Sequence, residues 1–152
     1  MIFRDEDLGF ERIKNELEKL SRMKVVIDID PNKVYDNGEK VEKVAVWMEF
    51  GNEEFDVKYP SRPFWRSTFD AHVDKIKRIY DKRVDMILAG TGTAEGLGHE
   101  VGKYTVERVM QQIKEGQYAP LAESTISRKG HDTPLIDEGI LLGSIRYRIE
   151  WS

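Results

Sequence analysis

The sequence predicts a single α+β domain: a mainly antiparallel sheet of four or five strands, with two long helices packed across it and a shorter N-terminal helix. Three observations carry that expectation. Apolar residues between Phe64 and Leu88 recur at helical spacing, the segments from Met23 and from Ile145 alternate with period two, and Asn37-Gly38 supplies a tight turn between further alternating stretches. At 152 residues and 39% hydrophobic, the chain can bury one core unaided, although 34% charged residues make it a thin one. The expected division gives residues 1–22 to the N-terminal helix, 23–60 to strands and a hairpin, 61–116 to two helices, and 117–152 to a short helix, a loop and a final strand.

Leu8, Ile13, Leu17 and Leu20 form an amphipathic stripe, so the first helix is expected over about Asp7 to Ser21. From Met23 the period changes. Met23, Val25, Ile27 and Ile29 fall on one side of a half-buried strand, with Lys24, Asp28 and Asp30 on the other. Lys40 to Phe50 reads as the longest strand, because Val44, Val46, Met48 and Phe50 alternate with Lys43, Ala45, Trp47 and Glu49. Glu53 to Lys58 reads as another short strand before Tyr59-Pro60-Ser61-Arg62-Pro63 breaks the sheet.

Pro63 suits the first position of a helix, and Phe69, Val73, Ile76, Tyr80, Val84 and Ile87 give the segment from Phe64 to Leu88 the clearest helical pattern in the chain. Gly90, Gly92, Gly96 and Gly98 then read as a flexible joint with Thr93 as N-cap. A second helix carrying Leu97, Val101, Tyr104, Val109 and Ile113 is expected to end near Gly116. Pro120 can open a short helix that Gly130 closes, Pro134, Gly139 and Gly143 place further bends, and Ile145 to Trp151 returns to the sheet.

The absence of cysteine removes disulfides, thiolate nucleophiles and zinc ribbons. No apolar run approaches the roughly 18 residues that span a bilayer, and acidic residues stand in the opening MIFRDEDLGF where a signal peptide has basic ones, so no membrane is expected and the chain is expected to be made in the cytoplasm. With 28 acidic against 24 basic residues, the net charge of −4 offers duplex DNA no net attraction. The Lys75 to Arg83 face, the basis for an alternative reading as a DNA-packaging accessory, has the pattern of a solvated helix surface.

Two constellations suggest a small metal- or nucleotide-dependent enzyme as the other alternative. Asp28, Asp30, Asn32, Asp36 and Glu39 stand at calcium-loop spacing, but Lys33 occupies the position that needs glycine, Pro31 stiffens the chain, and strands are expected on either side. Gly90 to Gly98 looks like a phosphate-cradling loop, yet a helix precedes it and no Lys-Ser/Thr pair follows. His72, His99 and His131 fall on separate elements, and none is placed by spacing against Ser124, Ser127 or Ser144 as a base beside a nucleophile. The expectation is therefore no catalytic residue, no metal ligand and no cofactor.

The string PLAESTISRKG followed by PLIDEGILLGSI resembles the signature of tail-completion and virion-morphogenesis proteins of tailed bacteriophages. Val46-Trp47-Met48-Glu49-Phe50-Gly51 and Arg62-Pro63-Phe64-Trp65 resemble the E-F-G and R-P-F-L-R pair of related minor tail components, with Trp65 standing where that pattern has an aliphatic residue. The likeness spans about two-thirds of the chain, roughly Ala45 to Ile149. It implies a structural virion protein of the neck that completes the tail or joins it to the head connector, and that acts without a catalytic centre. The implied partners are identical subunits in a ring, six being the expected number, together with the head connector and the tail-tube or tail-terminator proteins. Genome DNA passes through without specific binding. Rings larger than two members need heterologous contacts. The candidate contacts are Trp47, Arg62, Phe64 and Trp65 around the sheet edge, and Arg128, Lys129 and Asp132 in the polar turn; core packing is the alternative for Phe64 and Trp65.

Overall fold

A computed structural model describes residues 7–51, 60–118 and 139–152. In chain order the elements are α1 (Phe10–Arg22), β1 (Met23–Ile29), α2 (Val41–Phe50), α3 (Phe64–Leu88), α4 (Ala94–Glu115), α5 (Ile140–Ser144) and β2 (Ile145–Trp151). The architecture is mostly helical. Its sheet has two strands, β1 beside β2, and backbone bonds from Asp30 N–H to Ser144 O (2.8 Å) and from Ser152 N–H to Arg22 O (2.9 Å) make the pair antiparallel. This overturns the expected four- or five-stranded sheet with two long helices across it.

The largest correction is at α2, where a strand was expected. Its core residues are Val41, Ala45 and Glu49, spaced four apart as one face of a helix, whereas the alternating set splits: Val46 and Phe50 point outward. Ten residues rich in valine satisfy both periods, and packing against distant residues decides between them. The Asn37-Gly38 turn does form, with Gly38 at φ 82°, but it closes a single bridge between Val34 and Lys40 and no hairpin. The expected strand over Glu53 to Lys58 and the helix between Pro120 and Gly130 lie outside the described residues.

Contacts divide the chain into two compact units. One holds residues up to Val26, Asp74–Tyr104 and Tyr147–Ser152. There Ile87, Ala94 and Leu97 are fully buried, and Gly98 and Gly102 of α4 lie directly against β2. A methyl group built on Gly98 would stand 2.9 Å from the Ile149 side chain, and one on Gly102 would enter the Tyr147 ring. Gly96 and Gly98 are therefore turns of α4 and no joint; at Gly98 the missing side chain is what lets strand and helix approach. Thr93 caps α4 as expected, its hydroxyl accepting the Gly96 N–H at 3.0 Å. Gly90, at φ 74°, closes α3, and Arg12 donates to its carbonyl.

The other unit holds Ile27–Val73 and Thr105–Arg146. Val41, Ala45, Phe64, Val109, Ile113, Leu141 and Ile145 form its core, with Ile29, Tyr35, Met48, Trp65 and Tyr118 packed around them. Burying Phe64 alone contributes about 2–3 kcal/mol. At the end of α4 the Tyr118 hydroxyl and the Gly116 N–H both donate to Gln112 O, at 2.9 and 2.8 Å, and the ring folds back over Gly116.

Candidate functional site

The junction of α2 with α3 brings together the two short motifs that the sequence keeps apart. Glu49, on the buried face of α2, is 6% exposed and aims its carboxylate at the start of α3. Oε2 accepts the Trp65 N–H at 2.8 Å and Oε1 the Arg66 N–H at 3.0 Å. These are first-turn amides that have no partner inside the helix, and a carboxylate there also meets the positive end of the helix dipole. The Arg66 guanidinium closes the arrangement, donating through Nε to Oε1 (3.0 Å) and through Nη2 to the Glu49 carbonyl (2.9 Å).

Backbone bonds seat the remaining residues of the pair. Gly51, at φ 79°, ends α2 with its N–H on Trp47 O at 2.7 Å, the Arg62 N–H donates to Met48 O at 2.6 Å, and Ser61 Oγ donates to Glu49 O at 2.8 Å. Phe64 then drops into the core at 1% exposure, and Trp65 stacks edge-on to it at 6.0 Å and beside Phe69 at 6.4 Å. Three motif residues thus have mechanical roles: Glu49 caps, Gly51 turns and Phe64 anchors.

The outward face of α2 is of a different character. Lys43, Val46, Trp47 and Phe50 recur at three- and four-residue spacing opposite the core. Val46 is 55% and Phe50 65% exposed, Lys43 Nζ lies 4.8 Å over the Trp47 ring, and the Arg66 guanidinium lies 5.0 Å over the Phe50 ring.

Of the expected contact residues, Trp47 is half-buried on this outward face, Trp65 is half-buried against the core, and Arg62 and Phe64 are buried. All four lie on α2, on α3 or just ahead of α3, and none stands in a strand. Arg128, Lys129 and Asp132 lie outside the described residues. Sequence reasoning missed Glu49 as a cap, Arg66 as its clamp and Phe50 as an exposed ring; the signal available was an acid placed ahead of a proline-opened helix.

The other constellations are committed locally. Asp28 and Asp30 face Arg146 at 2.8 and 3.6 Å, which holds the guanidinium protonated to higher pH than usual chiefly through the Asp28 hydrogen bond. Asp30 also accepts from Asn32, and Asn37 from the Glu39 N–H. Among the described residues no three metal-competent side chains gather. Near the glycine-rich segment, the Ala94 N–H donates to Glu16 Oε2 at 2.8 Å, so a second buried glutamate caps a second long helix. A hydrogen bond from Lys19 Nζ, then the Ala94 N–H, hold the Glu16 carboxyl below its ordinary value against the upward push of burial. His99 rests between Tyr147 Oη at 3.0 Å and Glu95 at 3.5 Å. Arg83 pairs with Glu100. Among the described residues no helix is long and apolar enough to cross a membrane.

The chain matches no protein-family model, no curated protein and no solved structure.

Proposed function

We propose that the chain is a structural component of a bacteriophage neck, completing the tail or joining it to the head connector, with identical subunits, the connector and tail-tube or terminator proteins as partners. The observation that carries this reading is the junction at Glu49. The E-F-G and R-P-F fragments that resemble minor tail components are bound to each other by the Glu49 carboxylate on the Trp65 and Arg66 amides, which gives the pair a common structural purpose. The exposed aromatic face beside that junction suits docking. In this reading the protein works in the virion, contributes no bond-making step, and lets the genome pass without specific contact.

Deleting the gene from its own phage genome tests it. Electron microscopy of the lysate is expected to show DNA-filled heads and separate tails, with joined particles restored by supplying the chain in trans. Particles of normal form and infectivity after deletion would overturn the reading.

A further inference from the structure

Asn37 is followed by glycine, whereas Glu16, Lys33 and Glu53 follow Asn15, Asn32 and Asn52. An asparagine before glycine loses its side-chain amide most readily, because no side chain on the next residue hinders attack of the backbone nitrogen on the amide carbon. Asn37 and Gly38 are both exposed, and among the described residues no atom beyond the chain neighbours lies within 4 Å of where a side chain on Gly38 would stand. Crowding therefore gives the pair no protection from solvent. Both reacting groups are nevertheless engaged. The Gly38 N–H donates to Tyr35 O at 2.8 Å, and Asn37 Oδ1 accepts the Glu39 N–H at 3.0 Å. A bond from the Tyr35 N–H to Glu39 O at 2.9 Å and the bridge between Val34 and Lys40 close the turn around them.

We propose that Asn37 is a deamidation site held in check by its own turn, so that conversion proceeds only while the turn is open. In the reaction the Gly38 nitrogen gives its proton to solvent and bonds to Asn37 Cγ, the Cγ–Nδ2 bond breaks, and the amide leaves as ammonia. Water then opens the succinimide ring at one of its two carbonyls, giving aspartate or an isoaspartyl linkage with no change of oxidation state. In the closed turn the proton that must leave lies on Tyr35 O, and the bond from Glu39 fixes the side-chain amide in place. Ring closure therefore requires both bonds to break, and its rate follows the open fraction. Two hydrogen bonds of ordinary net strength make the folded chain at least about tenfold slower than the unfolded one. The two products differ in consequence. Aspartate keeps an acceptor for the Glu39 N–H, whereas the isoaspartyl linkage adds a carbon to the backbone and displaces the Gly38 N–H from Tyr35 O. That loosens the lead into α2, whose first N–H, on Val41, is held by Lys33 O at 3.1 Å. The inference is independent of the neck reading.

Peptide mapping by mass spectrometry tests it on the full chain, aged in mildly alkaline buffer with and without denaturing urea. In urea Asn37 is expected to convert ahead of Asn15, Asn32 and Asn52, and in buffer at no more than about one tenth of its own urea rate. Glu39→Pro removes the N–H that holds Asn37 Oδ1 and leaves both reacting residues in place. Its rate in buffer, taken relative to the same variant in urea, is expected to rise about threefold or more above the wild-type ratio. Hydrogen exchange at the Gly38 amide of the wild type needs no variant, decides the matter if Glu39→Pro fails to fold, and is expected to be slowed by at least the factor that separates buffer from urea. Equal wild-type rates in buffer and urea, faster conversion at another asparagine in urea, an unprotected Gly38 amide, or a folded Glu39→Pro chain as well protected as the wild type would each overturn the inference. None of these outcomes bears on whether deletion separates heads from tails.

Discussion

The Glu49 carboxylate holds the amide of Trp65 at 2.8 Å, sixteen residues away, and through it α2 and α3 become one piece. A cap of this kind satisfies part-buried donors that have no partner inside the helix, so its loss is costly in proportion to that burial. Replacing Glu49 by Gln keeps the shape but turns an amide NH2 toward one of the two N–H groups. Stability is expected to fall by about 1–3 kcal/mol in urea titration. A change below about 0.5 kcal/mol would show that the α3 amides find other partners.

At the second cap the prediction is one of pH. Because the folded-state pKa of Glu16 is depressed by Lys19 and the Ala94 N–H, its contribution is present above the ordinary carboxylate value, about 4.3, and is lost as pH falls through the depressed value. Glu16→Gln is therefore expected to lose stability at pH 7 and to show a shallower fall toward acid than the wild type. Parallel stability curves for the two proteins between pH 7 and 3 would contradict that assignment.

Glycines offer a contrast within one chain. Gly102→Ala places a methyl group in the Tyr147 ring and is expected to destabilise by about 1–3 kcal/mol, outweighing the gain of about 1 kcal/mol that alanine brings to a helix. Gly143 lies in α5 with open space around it, so Gly143→Ala is expected to be neutral or mildly stabilising. Thermal melts of both variants decide the matter, and equal effects would remove the close approach of α4 to β2 from the account.

Tyr118 carries a further expectation. Burial is the largest influence on its hydroxyl and raises the pKa above the ordinary value of 10.0, with the Gln112 side chain opposing it and the Glu49 charge adding to it. The stability it confers is intact below the unfolded pKa and lost as pH rises through the folded one. Ultraviolet titration is expected to show one late-ionising tyrosine that Tyr118→Phe removes; an unchanged titration curve in that variant would count against it.

How much of this was legible in the sequence follows from which forces set each element. In α1, β1, α3 and β2 the apolar period is determined locally, and the expected boundaries fall within a few residues of those observed. The α2 segment was misread because Val44, Val46, Met48 and Phe50 alternate by coincidence while Val41, Ala45 and Glu49 meet a core built from residues far along the chain. Gly96 and Gly98 looked like a joint since glycine is a poor helix former. Their environment is supplied by Thr93 and by Ile149, and nothing near them in sequence announces the latter. At the candidate site, Trp47 was legible as an isolated indole. The burial of Arg62 and Phe64 depends on the turn that Glu49 and Gly51 impose, which only the folded chain reveals.

Both the meeting of the two motifs and the outward aim of Val46, Trp47 and Phe50 depend on the Glu49 clamp. Amide hydrogen exchange at Trp65 and Arg66, compared between the wild type and Glu49→Gln, tests it most directly. Slow exchange at both positions in the wild type, and rapid exchange in the variant at the one of the two amides that faces the new NH2 group, with mid-helix α3 amides unaffected, is the predicted result. Equal exchange at both positions in the two proteins would contradict it.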